Sequence, residues 1–189
     1  MQWSKLKTTV ESFLCENLKG RVQIYATVYR KLHDGPSRVW ITFDKKEIVS
    51  SADTTYWLLH NKLYQQIIKE RELKPIPYHS DWKVMFQSIE REQLITASNE
   101  VEERLIEQNI MESHYFYHSL LDYCSLSIDQ ALKSENKVVR AFAMFDRRLG
   151  KRKLRKLKIP NNEQLIYEFY KIRCLVENIA FTETNLLIE

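Results

Sequence analysis

The stretch that decides the fold class is residues 22–49, which read VQIYATVYRKLHDGPSRVWITFDKKEIV. Apolar and polar side chains alternate over residues 22–28 and again over residues 39–43, which is typical of half-buried β-strands. Residues 33–37 predict the turn between them, because Gly permits positive φ and Pro cannot donate to a strand ladder. A short third strand is expected around residues 48–49. The stretch therefore predicts an antiparallel meander.

Helical periodicity surrounds this meander. Before it, apolar residues recur from Trp3 to Phe13 at helical spacing, and Gly20 offers a stop. After it, Asp53 or Thr54 is suited to cap a second helix. The apolar face of that helix is predicted to contain Tyr56, Leu59, Leu63 and Ile67. Residues 1–73 therefore predict an α-β-β-β-α unit.

Beyond Pro75 and Pro77, helical stripes replace the alternating pattern, so residues 80–183 predict a bundle of about four to five helices. The two clearest stripes are expected to pack on each other: Val138, Phe142, Phe145 and Leu149 against Leu165, Phe169, Ile172 and Val176. The predicted class is α+β. Because neither half is rich in core residues, we expect both to form one compact domain, with the boundary between the two halves at residues 74–79.

Composition narrows the class of protein. Of the 189 residues, 44% are apolar and 12% aromatic, which excludes a disordered chain. The cysteines are odd in number and dispersed, so Cys15, Cys124 and Cys174 are interpreted as reduced core residues. No apolar run approaches the ~18 residues that span a bilayer, and the N-terminus lacks a signal-peptide pattern. We therefore expect a soluble, cytoplasmic protein without a membrane partner.

The charge distribution is uneven. Residues 147–158, the basic segment, read RRLGKRKLRKLK and contain eight of the 29 basic side chains and no acid. The remaining 21 basic and 25 acidic residues give the rest of the chain a net charge of −4. The basic side chains, as candidate contacts to phosphate or another polyanion, are Arg147, Arg148, Lys151, Arg152, Lys153, Arg155, Lys156 and Lys158.

In the local interpretation of this segment, Gly150 ends one helix. Residues 151–158 then form a short second helix whose Leu154 and Leu157 face the core. Two alternatives stay open, a solvated helix end whose cations complement the helix dipole, and a docking patch for an acidic protein.

Two smaller groups of residues are candidates for an ion pair and for a metal site. Asp146 stands among arginines at a predicted helix end, where its carboxylate opposes the dipole, so we expect a structural ion pair with Arg140, Arg147 or Arg173, of which Arg140 is the named candidate. His114, His118 and Asp122 are spaced i, i+4, i+8, which can place two imidazoles and a carboxylate on one metal ion. Boundary histidines packed on an aromatic helix are the favoured alternative, so no metal and no cofactor are predicted.

Catalytic motifs are not found. With three glycines the chain contains no dinucleotide-binding loop, no P-loop and no nucleophile elbow. We therefore lean against an enzyme.

Two segments carry a resemblance to a known family. The opening MQWSKLK with SFLC at residues 12–15, and RAFAMFDRRLGKR at residues 140–152, resemble a family of uncharacterised bacterial intracellular proteins. The resemblance implies a bacterial cytoplasmic protein and implies no activity.

Three functional hypotheses follow. The first is a non-enzymatic interaction protein that binds another macromolecule, with a protein as the favoured partner. The second is a nucleic-acid binder that acts through the basic segment. The third is an enzyme that uses Asp146, His114 or His118. The oligomeric state is left open.

Overall fold

The computed structural model describes residues 2–27, 38–160 and 163–180. Strands β1 (Val22–Thr27), β2 (Arg38–Phe43) and β3 (Lys46–Ala52) form one antiparallel sheet in the order β1-β2-β3. The register pairs Ile24 with Ile41 and Ile41 with Val49, so buried side chains of all three strands lie in one row. The predicted meander is confirmed. The predicted turn at residues 33–37 lies outside the described residues.

Within the described ranges nine α-helices accompany the sheet. They are α1 (Trp3–Ser12), α2 (Asp53–Glu70), α3 (Trp82–Phe86), α4 (Ile89–Glu107), α5 (Ser113–Ser125), α6 (Ile128–Leu132), α7 (Lys137–Phe145), α8 (Lys151–Leu154) and α9 (Gln164–Val176). After the prolines, α4, α5, α7 and α9 are long, and the other three are about one turn. The protein is α+β, as predicted.

Two predicted helix boundaries differ in detail. Helix α1 ends at Ser12, well before Gly20, which has a φ of +74° just before β1. Helix α2 is preceded by Ala52, and Asp53 does not cap it. Instead, Oδ1 of Asp53 accepts a hydrogen bond from the backbone N–H of Ser113 at 2.8 Å, because this corner lies against the start of α5.

The main core lies between one face of the sheet and helices α1, α5, α7 and α9. Phe145 stacks on Phe169 with ring centroids 4.3 Å apart, and Phe142 meets the same ring edge-on at 5.7 Å. The predicted α7–α9 pairing is present. Ile172 and Val176 are only half-buried, because the buried positions nearby on α9 are taken by Arg173 and Cys174. The division into residues 1–73 and 80–183 stays a prediction.

A second, smaller core joins α2 to α4 across the two prolines. Its buried members are Tyr56, Ile67, Ala97, Val101 and Leu105. Between residues 71 and 96, all of which are described, no side chain is buried. The helix pair α2/α4 therefore carries a long stretch of chain with no fully buried residue, in which Leu73 alone packs, half-buried, against the smaller core.

No helix in the described ranges is long and apolar enough to cross a membrane. The three cysteines all lie in those ranges and carry free thiols. Burial raises the pKa of Cys15 and of Cys174, which keeps both thiols protonated at neutral pH.

Candidate interaction surfaces

The basic segment follows directly on α7. Helix α7 ends at Phe145 because the next residues pair with the backbone of residues 13–15. The N–H of Arg147 donates to the carbonyl of Phe13 at 2.7 Å, and the N–H of Cys15 donates to the carbonyl of Phe145 at 2.9 Å. The prediction that Gly150 ends this helix was wrong, since Gly150 precedes α8 as its N-terminal flanking residue.

Buried leucines anchor the basic segment to the main core. Leu149 and Leu154 are fully buried, and Leu157 is half-buried against the same core. The helical part is shorter than expected, since α8 covers only Lys151–Leu154 and continues as a turn. The leucines nevertheless point inward, and the cations between them are exposed.

Arg173 holds the base of the segment from α9. Its side chain is 3% exposed. Nη1 donates to the carbonyls of Met144 and Asp146 at 3.3 and 2.9 Å, and Nη2 donates to the carbonyl of Leu149 at 3.1 Å. Nε lies 3.3 Å from Oε1 of Glu177. One guanidinium therefore ties three carbonyls of the helix-to-segment connection to α9.

Asp146 is fully buried at the same connection. Its carboxylate accepts hydrogen bonds from the backbone N–H of Arg148 at 2.7 Å, from Nη2 of Arg148 at 2.6 Å and from the hydroxyl of Tyr123 at 2.6 Å. The hydrogen bonds that Arg148 donates to the Asp146 carboxylate raise the pKa of Arg148. The pKa of Tyr123 is raised mainly by burial and then by the charge of Asp146. Every buried charge here is paired, so the group is structural in character.

The predicted partner of Asp146 was wrong. Arg140 pairs instead with Glu163, with Nη2 2.6 Å from Oε1. Arg148 takes the predicted place because it lies two residues after Asp146, where the turn brings its backbone N–H and its guanidinium to the same carboxylate.

The eight cations divide into two sets. Three have acidic partners, Arg148 with Asp146, Lys151 with Glu177 and Lys153 with Asp129. The other five are exposed and form no ion pair with any described residue. They are Arg147, Arg152, Arg155, Lys156 and Lys158.

The predicted histidine group lies on the exposed side of α5. The rings of His114 and His118 are neighbours, with centroids 4.2 Å apart, and Asp122 follows one turn later in an exposed position. Across the described parts of the chain, no three His, Cys, Asp or Glu side chains are grouped so that they could hold a metal ion.

A surface that the sequence reasoning missed lies on residues 76–95, here called the apolar segment. Tyr78 is 88% exposed, Trp82 62% and Ile89 69%. Phe86, with 55% of its surface exposed, meets Trp82 edge-on at a centroid distance of 5.4 Å. The remaining large apolar side chains exposed here are Ile76, Val84 and Ile95.

Polar contacts order this segment locally. Oδ1 of Asp81 accepts from the N–H of Lys83 at 2.9 Å and so caps α3. Oγ of Ser88 accepts from the N–H of Arg91 at 3.3 Å and caps α4. The Arg91 guanidinium lies 4.2 Å from the Phe86 ring centre and donates to the Phe86 carbonyl at 3.2 Å. The apolar rings are therefore held in place without being buried.

The sequence did carry a signal for this surface. Residues 82–86 read WKVMF, whose apolar residues do not keep to one face of a helix. Two prolines precede them, and no second stripe nearby offers a partner face. An apolar run without helical period and without a partner stripe indicates exposed rather than core residues.

Comparison with known proteins gives one match. Residues 2–174 match the model of the SF0329 protein family. No curated protein and no solved structure matches the chain.

Proposed function

The chain belongs to the SF0329 protein family, to which no activity is assigned, and from its surface we propose that it is a non-enzymatic interaction protein that binds a protein partner through the apolar segment. The observation that carries the proposal is the exposure of this segment. Its aromatic and aliphatic side chains lie on the surface, whereas those of α7 are buried in the core.

The exposed rings offer apolar area that a partner can bury. An aromatic side chain can bury about 150–250 Å². The exposed fractions of Tyr78, Trp82 and Phe86 then leave roughly 400 Å² of ring surface open to a partner. A standard interface buries about 800 Å² per partner, so these rings can supply a substantial part of one.

The composition of the segment is that of a binding hot spot. Trp, Tyr, Phe and Arg are enriched at such sites, and here Trp82 and Phe86 lie beside Arg91. A groove of about 250 Å³ runs beside Phe86 and Ile95 and is lined otherwise by polar side chains, so it can take a group of the partner that is part apolar and part polar. Because Trp82 and Phe86 already contact each other and Arg91 already lies over the Phe86 ring, binding has fewer side chains to order.

The charge of this region favours an apolar partner surface. Residues 76–95 contain two basic and three acidic side chains, so the apolar segment carries a net charge of only −1. Neither a strongly acidic nor a strongly basic partner is steered to it. We infer that contact is driven by apolar burial. Bacterial origin and cytoplasmic location stay predictions that go with this proposal.

Site-specific photocrosslinking tests the proposal. A photoreactive phenylalanine analogue at position 82 should give a discrete adduct in cells. The same analogue at position 175 is the control, because Leu175 is also 62% exposed but lies on α9. The partner identified by mass spectrometry should then bind the purified protein, and W82A/F86A should weaken this binding by about 30-fold or more, whereas L175A leaves it unchanged.

Light scattering on the purified protein shows whether the partner is a second copy of this chain or a different protein. The proposal is contradicted if position 82 gives no adduct beyond that of position 175, or if the purified partner binds W82A/F86A as tightly as the wild type.

A further inference from the structure

The basic segment is not used by the proposed protein interface. We propose that its five cations without an acidic partner among the described residues contact the phosphate backbone of double-stranded nucleic acid, independently of base sequence. The inference rests on how the structure divides the eight cations of residues 147–158, and it does not depend on the apolar segment.

The neighbouring acids do not cancel this charge. Lys151 is engaged by Glu177 at 2.6 Å, and Lys153 by Asp129. Both acids are thereby neutralised by lysines of α8 itself. Arg152, Arg155 and Lys156 are left at i, i+3, i+4 spacing, and all three are exposed, whereas Leu154 is buried.

The segment is rigidly seated. Leu149 and Leu154 are fully buried, and the carbonyls of Met144, Asp146 and Leu149 are held by Arg173. The exposed cations therefore project from a fixed base rather than from a loose loop. Phosphate contact then orders only the ends of long side chains, which lowers the entropic cost of binding.

Duplex phosphates fit this arrangement better than other anions do. The segment contains no aromatic residue on which an unstacked base could lie, which argues against a single strand. Its cations are spread over twelve residues of the chain and are exposed, which favours an extended array of phosphates over one small phosphate. A duplex offers one negative charge per ~1.7 Å of axis and so can engage several cations at once.

Salt dependence of binding tests the inference. Fluorescence anisotropy with a DNA duplex of about 20 base pairs should give a log–log slope against salt near −4.5 if all five cations are engaged. Affinity should then fall roughly 500-fold between about 50 and about 200 mM salt. A duplex of RNA with the same sequence distinguishes the two sources of phosphate, and binding to either supports the inference.

A matched pair of triple variants locates the contact. R152Q/R155Q/K156Q should flatten the slope to about −1.8, which is roughly a tenfold loss over the same salt range. K62Q/K69Q/K83Q removes the same three charges from exposed positions on α2 and α3 and should leave the slope unchanged. Circular dichroism and melting temperature should be those of the wild type for both variants, because every replaced side chain is exposed.

Three results overturn the inference. One is the absence of duplex binding at about 50 mM salt. Another is an equal change of slope in both triple variants. The third is binding of a polyglutamate peptide under conditions in which neither duplex binds, which would make the segment a docking patch for an acidic protein.

Discussion

Helix α7 and the short helix α3 have similar composition but opposite surroundings. Helix α7 reads KVVRAFAMF, and seven of its residues are buried, whereas α3 reads WKVMF and buries none. The difference lies in what covers them. Helix α7 is packed against α5, α6 and α9, while α3 packs closely on no other described element. Apolar composition alone therefore does not identify a core, because a core also needs elements that cover it.

The largest expected effect is the loss of folding stability when a ring of the main core is removed. Phe142 contacts Phe116, Tyr123 and Phe169 in the main core. We expect F142A to lower the free energy of unfolding by about 3–5 kcal/mol, because it leaves a cavity among rings that cannot close over it. Urea denaturation followed by circular dichroism measures this loss. L175A, at an exposed position, should change the same quantity by less than about 0.5 kcal/mol, and a similar loss in both variants would contradict the comparison.

The next effect concerns the connection between the core and the basic segment. R173M should lower the free energy of unfolding by about 2–4 kcal/mol, because the carbonyls of Met144, Asp146 and Leu149 lose their buried donor. R173K should recover only part of this loss, since an ammonium cannot reproduce the planar fork of donors. Full stability in R173M would show that the segment is seated by its leucines alone.

Much of the fold could be predicted from sequence because its signals are local. Alternation over residues 22–28 and 39–43 is a property of each strand itself, and the stripe of Val138, Phe142 and Phe145 recurs within a single helix. The pairing of α2 with α4 was not predicted. It joins residues on opposite sides of Pro75 and Pro77, and the stripe on α4 is weak, with only Ala97, Val101 and Leu105 buried.

The sites were harder to predict because they depend on partners distant in sequence. The cluster of cations at residues 147–158 is visible in the sequence, but the acids that engage Lys151 and Lys153 lie at residues 177 and 129. Arg173 lies within an apolar stripe, and nothing in the sequence around it indicates that its guanidinium binds three backbone carbonyls. The wrong partner for Asp146 has the same origin, since the path of the chain after Phe145 is set by its pairing with residues 13–15.

A smaller effect should appear as a pH dependence. Burial would raise the pKa of Glu177, but the hydrogen bond from Lys151 and the charge of Arg173 outweigh it, so the pKa lies below its usual value of 4.5. A carboxyl group with a lowered pKa stabilises the folded state above its unfolded pKa and loses that contribution as the pH falls through the folded pKa. E177Q should therefore cost about 1–2 kcal/mol at pH 7, and its difference from the wild type should narrow below about pH 4.5.

Denaturation of E177Q and the wild type between about pH 3 and pH 7 measures this gap. D129N is the control, because the Asp129–Lys153 pair is exposed to solvent and should give no comparable gap from the wild type. A gap for E177Q that does not depend on pH would show that the charge of Glu177 does not help to hold Arg173.

The central claim is that the rings of the apolar segment belong to a surface and not to a core, and the free energy of unfolding of W82A/F86A tests it most directly. Trp82 and Phe86 are more than half exposed, so removal of both rings should change this quantity by less than about 1 kcal/mol, with an unchanged denaturant slope. A loss of about 3 kcal/mol or more, as expected for F142A, would show that the rings are packed inside the folded protein and would contradict the claim.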